Sequence, residues 1–295
     1  MKTRTGAAAL GLALALGGCV AGAAAAQTPD PTPDPTPAAG DVRAWRRACW
    51  DYDLAGPVAI REQACTALLG TNRLGDYDLA VTYRFRGDAR ATLGDDPAAI
   101  RDFTAAMVAQ PRDPQSWMMR GATWHRLGDE DEAAADWIRA LELRPDLPAA
   151  QANLGMLAHS AGDLEAMTVR LRAAAASRRA DAGTLNVVCW EFATAGIHLD
   201  EAAAACALGL RKAPRDPLIL DSAAFVALRQ GDLAAAEAGY AQALALAPGQ
   251  AVSIYGRGLT RLRLGRAAEG QADLDRATAL DAGVTAQFTG WGLTP

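Results

Sequence analysis

The side chains with the most chemistry in this sequence of 295 residues are five cysteines, at 19, 49, 65, 189 and 206, and three histidines, His125, His159 and His198. Thiolates and imidazoles can ligate zinc, supply a nucleophile with its base, or, for the cysteines, cross-link the chain. His125 and His159 stand 34 residues apart, and two imidazoles do not close a tetrahedral metal shell. Ala91 and Ala193, 34 residues before and after them, carry no ligand atom, so neither a metal nor a cofactor is expected. Gly-x-Ser-x-Gly, His-Glu-x-x-His and Gly-Lys-Ser/Thr, the spacings of a nucleophile elbow, a zinc-protease helix and a phosphate loop, do not occur. Gly256-Arg257-Gly258 has no third glycine and follows no strand. The acidic runs Asp95-Asp96 and Asp129-Glu130-Asp131-Glu132 sit where helices would begin. There carboxylates satisfy free N–H groups and favour the helix dipole, which explains them better than acid–base work. No catalytic residue, and hence no enzyme, is expected.

The N-terminus supplies the setting for the cysteines. Lys2 and Arg4 precede an apolar run from Ala7 to Leu16 and then small residues, the order of a secretory signal peptide and too short to span a bilayer. Two processing sites compete. Leu16-Gly17-Gly18-Cys19 resembles a lipobox, which would leave Cys19 diacylated as the first mature residue. Ala24-Ala25-Ala26 before Gln27 resembles an ordinary small-x-small cleavage site, giving a signal of 1–26. Residues 27–41 are rich in Pro-Asp-Pro-Thr, which suits an extended spacer of roughly 3 Å per residue or an unstructured leader. No later apolar run reaches the ~18 residues of a span. The expectation is a periplasmic or otherwise exported chain, with no membrane insertion beyond a lipid on Cys19. Its formal charge of −5 and pI near 5.3 lack the basic stripe of a nucleic-acid binder. Loss of Lys2 and Arg4 would leave 27 basic against 34 acidic residues.

What must position these residues is a repeat. Gly94, Gly128, Gly162, Gly196, Gly231 and Gly265 recur at spacings of 34, except for one of 35. Gly87, Gly121, Gly155, Cys189, Ala224 and Gly258 keep the same steps. So do Tyr83, Trp117, Gln151, Leu185, Leu220 and Ile254, and the small residues from Ala106 through Ala140 to Ala277. A further series holds larger side chains: Phe103, Trp137, Leu171, Cys206, Tyr240 and Leu274. Coincident series at one period between 20 and 50 residues mark an array of stacked units. The composition agrees, since 51% is hydrophobic but only 6% aromatic, and much of the rest is alanine, the strongest helix former.

Residues 114–147 show one unit. Asp113 before Pro114 predicts a helix start, and Trp117, Gly121 and Trp124 share a face at i, i+4, i+7. Gly128-Asp129 breaks that helix, Ala133, Trp137 and Ala140 line a second, and Pro145 stops it. Large side chains then face glycine or alanine, which lets an antiparallel pair sit close. The pattern Trp117-x-x-x-Gly121-x-x-Trp124, then Ala133-x-x-x-Trp137-x-x-Ala140 and Pro145, resembles the tetratricopeptide repeat, and Tyr83 to Pro111 is similar. The units at Leu220 and Ile254 match more loosely, and the one at Gln151 lacks both the aromatic and the proline.

The resemblance implies an all-α, α-α superhelix, a solenoid of helical hairpins with first helices lining a concave groove. Carried over position by position, it places Arg84, Asp88, Met118, Met119, Ala122 and His125 along that groove. Asn153, Met156, Asn186 and Trp190 follow, then Asp221, Phe225, Tyr255 and Leu259, each equally readable as packing between repeats. Methionines and aromatics there would form a deformable apolar surface for a peptide or a partner helix. The lysine clamp that some members use for acidic tails has no counterpart, since the only lysines are Lys2 and Lys212. The implied role is a protein-binding scaffold in envelope assembly or secretion, with a small-ligand or glycan-binding accessory protein as the alternative.

In this register Cys189 and Cys206 take the places of Gly121 and Trp137, and Cys49 and Cys65, 16 apart, take the same two slots in an earlier unit. Trp45, Cys49, Tyr52 and Gly56 match Trp117, Gly121, Trp124 and Gly128. Bridges Cys49–Cys65 and Cys189–Cys206 are therefore expected, with four buried thiols as the alternative. The array becomes seven units: 42–75, 80–113, 114–147, 148–181, 182–216, 217–250 and 251–284. A tail of 285–295 with Phe288 and Trp291 is left, either as a cap on the last hairpin or as a docking tag for a partner.

Overall fold

The structure is a computed structural model, and it describes residues 41–51 and 57–295. The signal segment with both processing sites, nearly all of the proline-rich stretch, and Tyr52 and Gly56 lie outside the described residues. Among those described there are fifteen helices and no strand. The chain divides into two compact units, 41–145 and 146–295 of the described residues.

The first unit holds α1 (Val42–Trp50), α2 (Val58–Gly70), α3 (Asp76–Thr92), α4 (Asp96–Ala109), α5 (Pro114–Leu127) and α6 (Glu130–Leu143). The second holds α7 (Pro148–Ser160), α8 (Leu164–Ala176), α9 (Ala182–Ala195), α10 (Leu199–Lys212), α11 (Pro217–Gln230), α12 (Leu233–Leu246), α13 (Ala251–Arg263), α14 (Ala267–Leu280) and a short α15 (Val284–Gly290). Consecutive helices pack as hairpins, α1 with α2 through α13 with α14. First helices also stack on first helices: α1 on α3 and α3 on α5 in one unit, and α7 on α9, α9 on α11 and α11 on α13 in the other. This is an all-α solenoid of the tetratricopeptide type.

Local chemistry explains the boundaries. Aspartates cap the helix starts: Asp41, Asp95, Asp163, Asp181 and Asp232 each accept from a backbone N–H three residues on, at 2.7–3.1 Å. Asp113 and Asp216 cap in the same way ahead of Pro114 and Pro217. The six ladder glycines end the first helices with φ between 72° and 87°, a left-handed conformation that a Cβ disfavours, and this fixes the 34-residue period. The single 35-residue step is absorbed at His198, the N-cap of α10, which itself has φ 51°. The residues inserted before the second hairpin lengthen α3 to 17 residues, an extra turn at its start.

The second glycine series is a set of holes. A Cβ on Gly87 would lie 2.7 Å from the Phe103 ring, and one on Gly121 would lie 2.7 Å from Trp137 Nε1. Gly155 faces Leu171 and Gly258 faces Leu274 at similar distances. Where the hole is a cysteine, the knob is too: Cys189 and Cys206 are joined with S–S 2.09 Å, and Cys49 and Cys65 with S–S 2.05 Å. Where Ala224 fills the hole, Gly239 makes room for its methyl, and Tyr240 turns instead against Gly256 of the next hairpin.

Candidate protein-binding face

The faces made by the stacked first helices are the surfaces with register along each unit. In the first unit, Arg84 is half-buried and its Nη1 donates to Asp113 Oδ2 at 2.8 Å. Asp88 and Met119 are half-buried, whereas Met118 is buried. His125 is half-buried with its ring 5.9 Å from that of Trp137. These side chains form a mixed surface of sulfur, charge and imidazole.

The second unit differs. Asn153 is buried, and Met156 and Asn186 are half-buried. His159 Nδ1 lies 2.5 Å from Oε2 of the buried Glu191, which ties α7 to α9. Trp190, Phe225 and Tyr255 come together across α9, α11 and α13, and only 7%, 0% and 1% of them is exposed. Their cover is the chain's own C-terminus. Phe288 on α15 has its ring 4.6 Å from Tyr255 and 5.8 Å from Phe225, and is itself fully buried. Trp291 sits edge-on to Trp190 at 5.2 Å and to Phe225 at 5.4 Å. Arg229 at the end of α11 donates through Nη2 to the Trp291 carbonyl and, at 3.1 Å, to the Thr194 carbonyl of α9. A cap on the last hairpin alone would not touch Trp190. The tail contacts α13 and α14 and also reaches back across two hairpins.

Asp221 is the one carboxyl among the buried groove residues, and it lies between hairpins. The Ser253 hydroxyl donates to its Oδ1 at 2.5 Å. Burial raises this carboxyl to about 7, against the opposing Ser253 hydrogen bond. The neighbouring Tyr240 hydroxyl is pushed well above its ordinary value, first by burial and then by the Asp221 charge.

Three ion pairs keep the spacing of the repeat although they recur in too few hairpins to form a series. Arg86–Asp102, Arg120–Asp136 and Arg257–Asp273 are 16 residues apart, one step before the knob and hole positions, and each is bidentate at 2.7–2.8 Å. Each clamps a first helix to its second, and the aspartate side chains are 4–8% exposed. The series is interrupted at Leu154 and Arg170, where the arginine bonds Gln151 instead, and the uncharged pairs Val188 with Ala205 and Ala223 with Gly239 replace it in the next two hairpins. Among the described residues no group of three or more His, Cys, Asp or Glu could hold a metal, and no helix is long and apolar enough to cross a membrane.

No family profile and no curated protein sequence matches the chain. Solved structures do. A tetratricopeptide repeat protein from Parabacteroides merdae ATCC 43184 matches at TM-score 0.58 and 14% identity, over 85% of this chain and 99% of that one. The fold is that of tetratricopeptide repeat proteins. PilW, a type IV pilus biogenesis factor, is similar at TM-score 0.59 and 16% identity, over 71% of this chain and 96% of PilW. The Cut9–Hcn1 assembly matches at TM-score 0.64 and 15% identity over 82% of this chain, which spans only 49% of that larger one. At these identities the tetratricopeptide likeness speaks to architecture, and the fold does not itself choose a ligand.

Proposed function

We propose that this chain is an exported scaffold that holds a peptide or protein partner on the first-helix faces of its tetratricopeptide stacks, in envelope assembly or secretion. The observation that carries the reading is the seat of α15: the face made by α9, α11 and α13 accommodates a helix through Trp190, Phe225 and Tyr255. Helix-on-face docking with aromatic anchors is a common way for such surfaces to bind. In the first unit, Met119, Asp88 and His125 offer a more polar version of the same face. Export is supported by the two cysteine pairs at bonding distance, since disulfides persist in oxidising compartments. The glycan reading gains nothing, because the Trp190 ring it would use is covered by Trp291.

Site-specific photo-crosslinking in cells tests this. A photoreactive residue at Met119 or Met156, on first helices, is expected to capture a discrete protein partner. The same residue at Ile138 or Val169, exposed on second helices, is expected to capture none. Equal capture from both faces, or none from the first, would remove the reading.

A further inference from the structure

The tail is more than a lid, because its contacts have the form of a ligand's. A residue capping α13–α14 needs only to cover the last hairpin, as the buried Val284 does. Phe288 and Trp291, one helical turn apart, reach beyond that hairpin and fill a cleft built by three successive first helices. Trp190 and Phe225 occupy the same repeat position, which holds Trp50, Asp88 and Ala122 in the first unit and Met156 and Leu259 in the flanking hairpins of the second.

Arg229 gives the cleft a direction. The last carbonyls of any helix lack intrahelical partners, and a cation there is favoured by the dipole. Arg229 donates to the carbonyl of Trp291, the C-cap of α15, while its guanidinium lies 5.5 Å from the Phe225 ring centre. Its other hydrogen bond also goes to a backbone carbonyl, that of Thr194. Burial, with Arg263 adding to it, lowers this guanidinium from its ordinary value, so a well-placed acceptor is worth more to it than to an exposed arginine.

We propose that residues 284–293 are a resident stand-in for the partner: the α9–α11–α13 cleft recognises a short helix with two aromatics one turn apart, oriented with its C-terminal end on Arg229, and the tail must leave before such a helix binds. The proposal rests on the scaffold reading and names the chemistry of its partner. Because the tail is tethered to the cleft through only a few residues after α14, it competes at a high effective concentration. The intact chain is thus held closed against weak ligands, and a partner must match or exceed the Phe288–Trp291 pair.

A labelled peptide of residues 283–295 is the probe, with binding followed by anisotropy on the full-length protein. The Phe288→Ala and Trp291→Ala chains, with loosened tails, are expected to bind the peptide at least ~10-fold more tightly than the wild type. A peptide with both aromatics replaced by alanine is expected not to bind, and Arg229→Gln in the Trp291→Ala background is expected to lose ~10-fold or more. Equal affinity of wild type and a folded variant would overturn the proposal. Amide exchange of the wild type needs no variant: residues 284–293 are expected to open at lower free energy than α13, and exchange in step with α13 would mark the tail as permanent core and overturn it. Photo-crosslinking of a partner without peptide binding would leave the scaffold reading standing while this inference fails, and the reverse pattern would separate them the other way.

Discussion

Gly121 lies so near the Trp137 indole that a methyl would fall 2.7 Å from Nε1 and 3.1 Å from the Ala133 carbonyl oxygen. The second contact is to backbone and cannot be relieved by a rotamer change. Replacing glycine by alanine within a helix usually gains about 0.5–1 kcal/mol. Here overpacking outweighs that gain, and Gly121→Ala is expected to destabilise by about 1–3 kcal/mol in urea unfolding. Asp221 carries a second residue-scale prediction. Its folded carboxyl holds a proton up to about 7, whereas the unfolded chain releases it near the ordinary aspartate value of 3.8. Between those values unfolding therefore releases a proton, so stability falls as pH rises through the window and is lowest above about 7. Asp221→Asn keeps an acceptor for Ser253 without the charge. It is expected to raise stability at pH 7.5 by roughly 2–4 kcal/mol and to flatten the slope between pH 4 and 7, as read by thermal melts across pH.

The two disulfides act at the scale of the hairpin, and their positions make their removal unequal. Each closes a loop of similar length, with sequence separations of 16 and 17, so each contributes on the order of 3 kcal/mol by loop-closure entropy. In a solenoid every hairpin leans only on its neighbours. Cys49–Cys65 joins the first described hairpin, which packs on α3 alone among later first helices. Replacing both cysteines by alanine is expected to raise amide exchange across 42–70 while α9 and α10 stay protected. Replacing Cys189 and Cys206 removes a clamp inside the second unit, where α9 packs against α7, α8, α10 and α11. That double variant is expected to lower the protection of the whole second unit. Loss confined to one hairpin would show that neighbouring hairpins there are not coupled.

At the scale of the whole molecule, the pairing of four cysteines and the fate of Cys19 bear together on where the chain resides. Both processing sites predict a mature chain without a free thiol: one lipidates Cys19, and the other removes it. Thiol tagging of protein trapped from cells is therefore expected to add no mass without reductant and four tags after reduction. Four free thiols in the trapped chain would sink the export reading. Labelled palmitate then chooses between the two sites, since it is incorporated only if Cys19 is acylated.

The period, the hairpin and the cysteine register are legible in the amino-acid order alone. Each of these is set by steric facts that recur: a glycine at positive φ after each first helix from α3 to α13, an aspartate at most helix starts, and a small residue opposite a large one. The Arg86–Asp102 pairs were equally legible, at the same spacing of 16 as the knobs and holes, but they are interrupted in three hairpins and so did not stand out as a series. Periodicity could not say which first-helix residues remain open, because exposure depends on what else covers the face. Trp190, Phe225 and Tyr255 have the same spacing whether they face solvent, a partner or the chain's own end. That Phe288 and Trp291 close over them follows from the three-dimensional packing alone, since that contact joins residues up to 101 positions apart across two intervening hairpins rather than through any repeat.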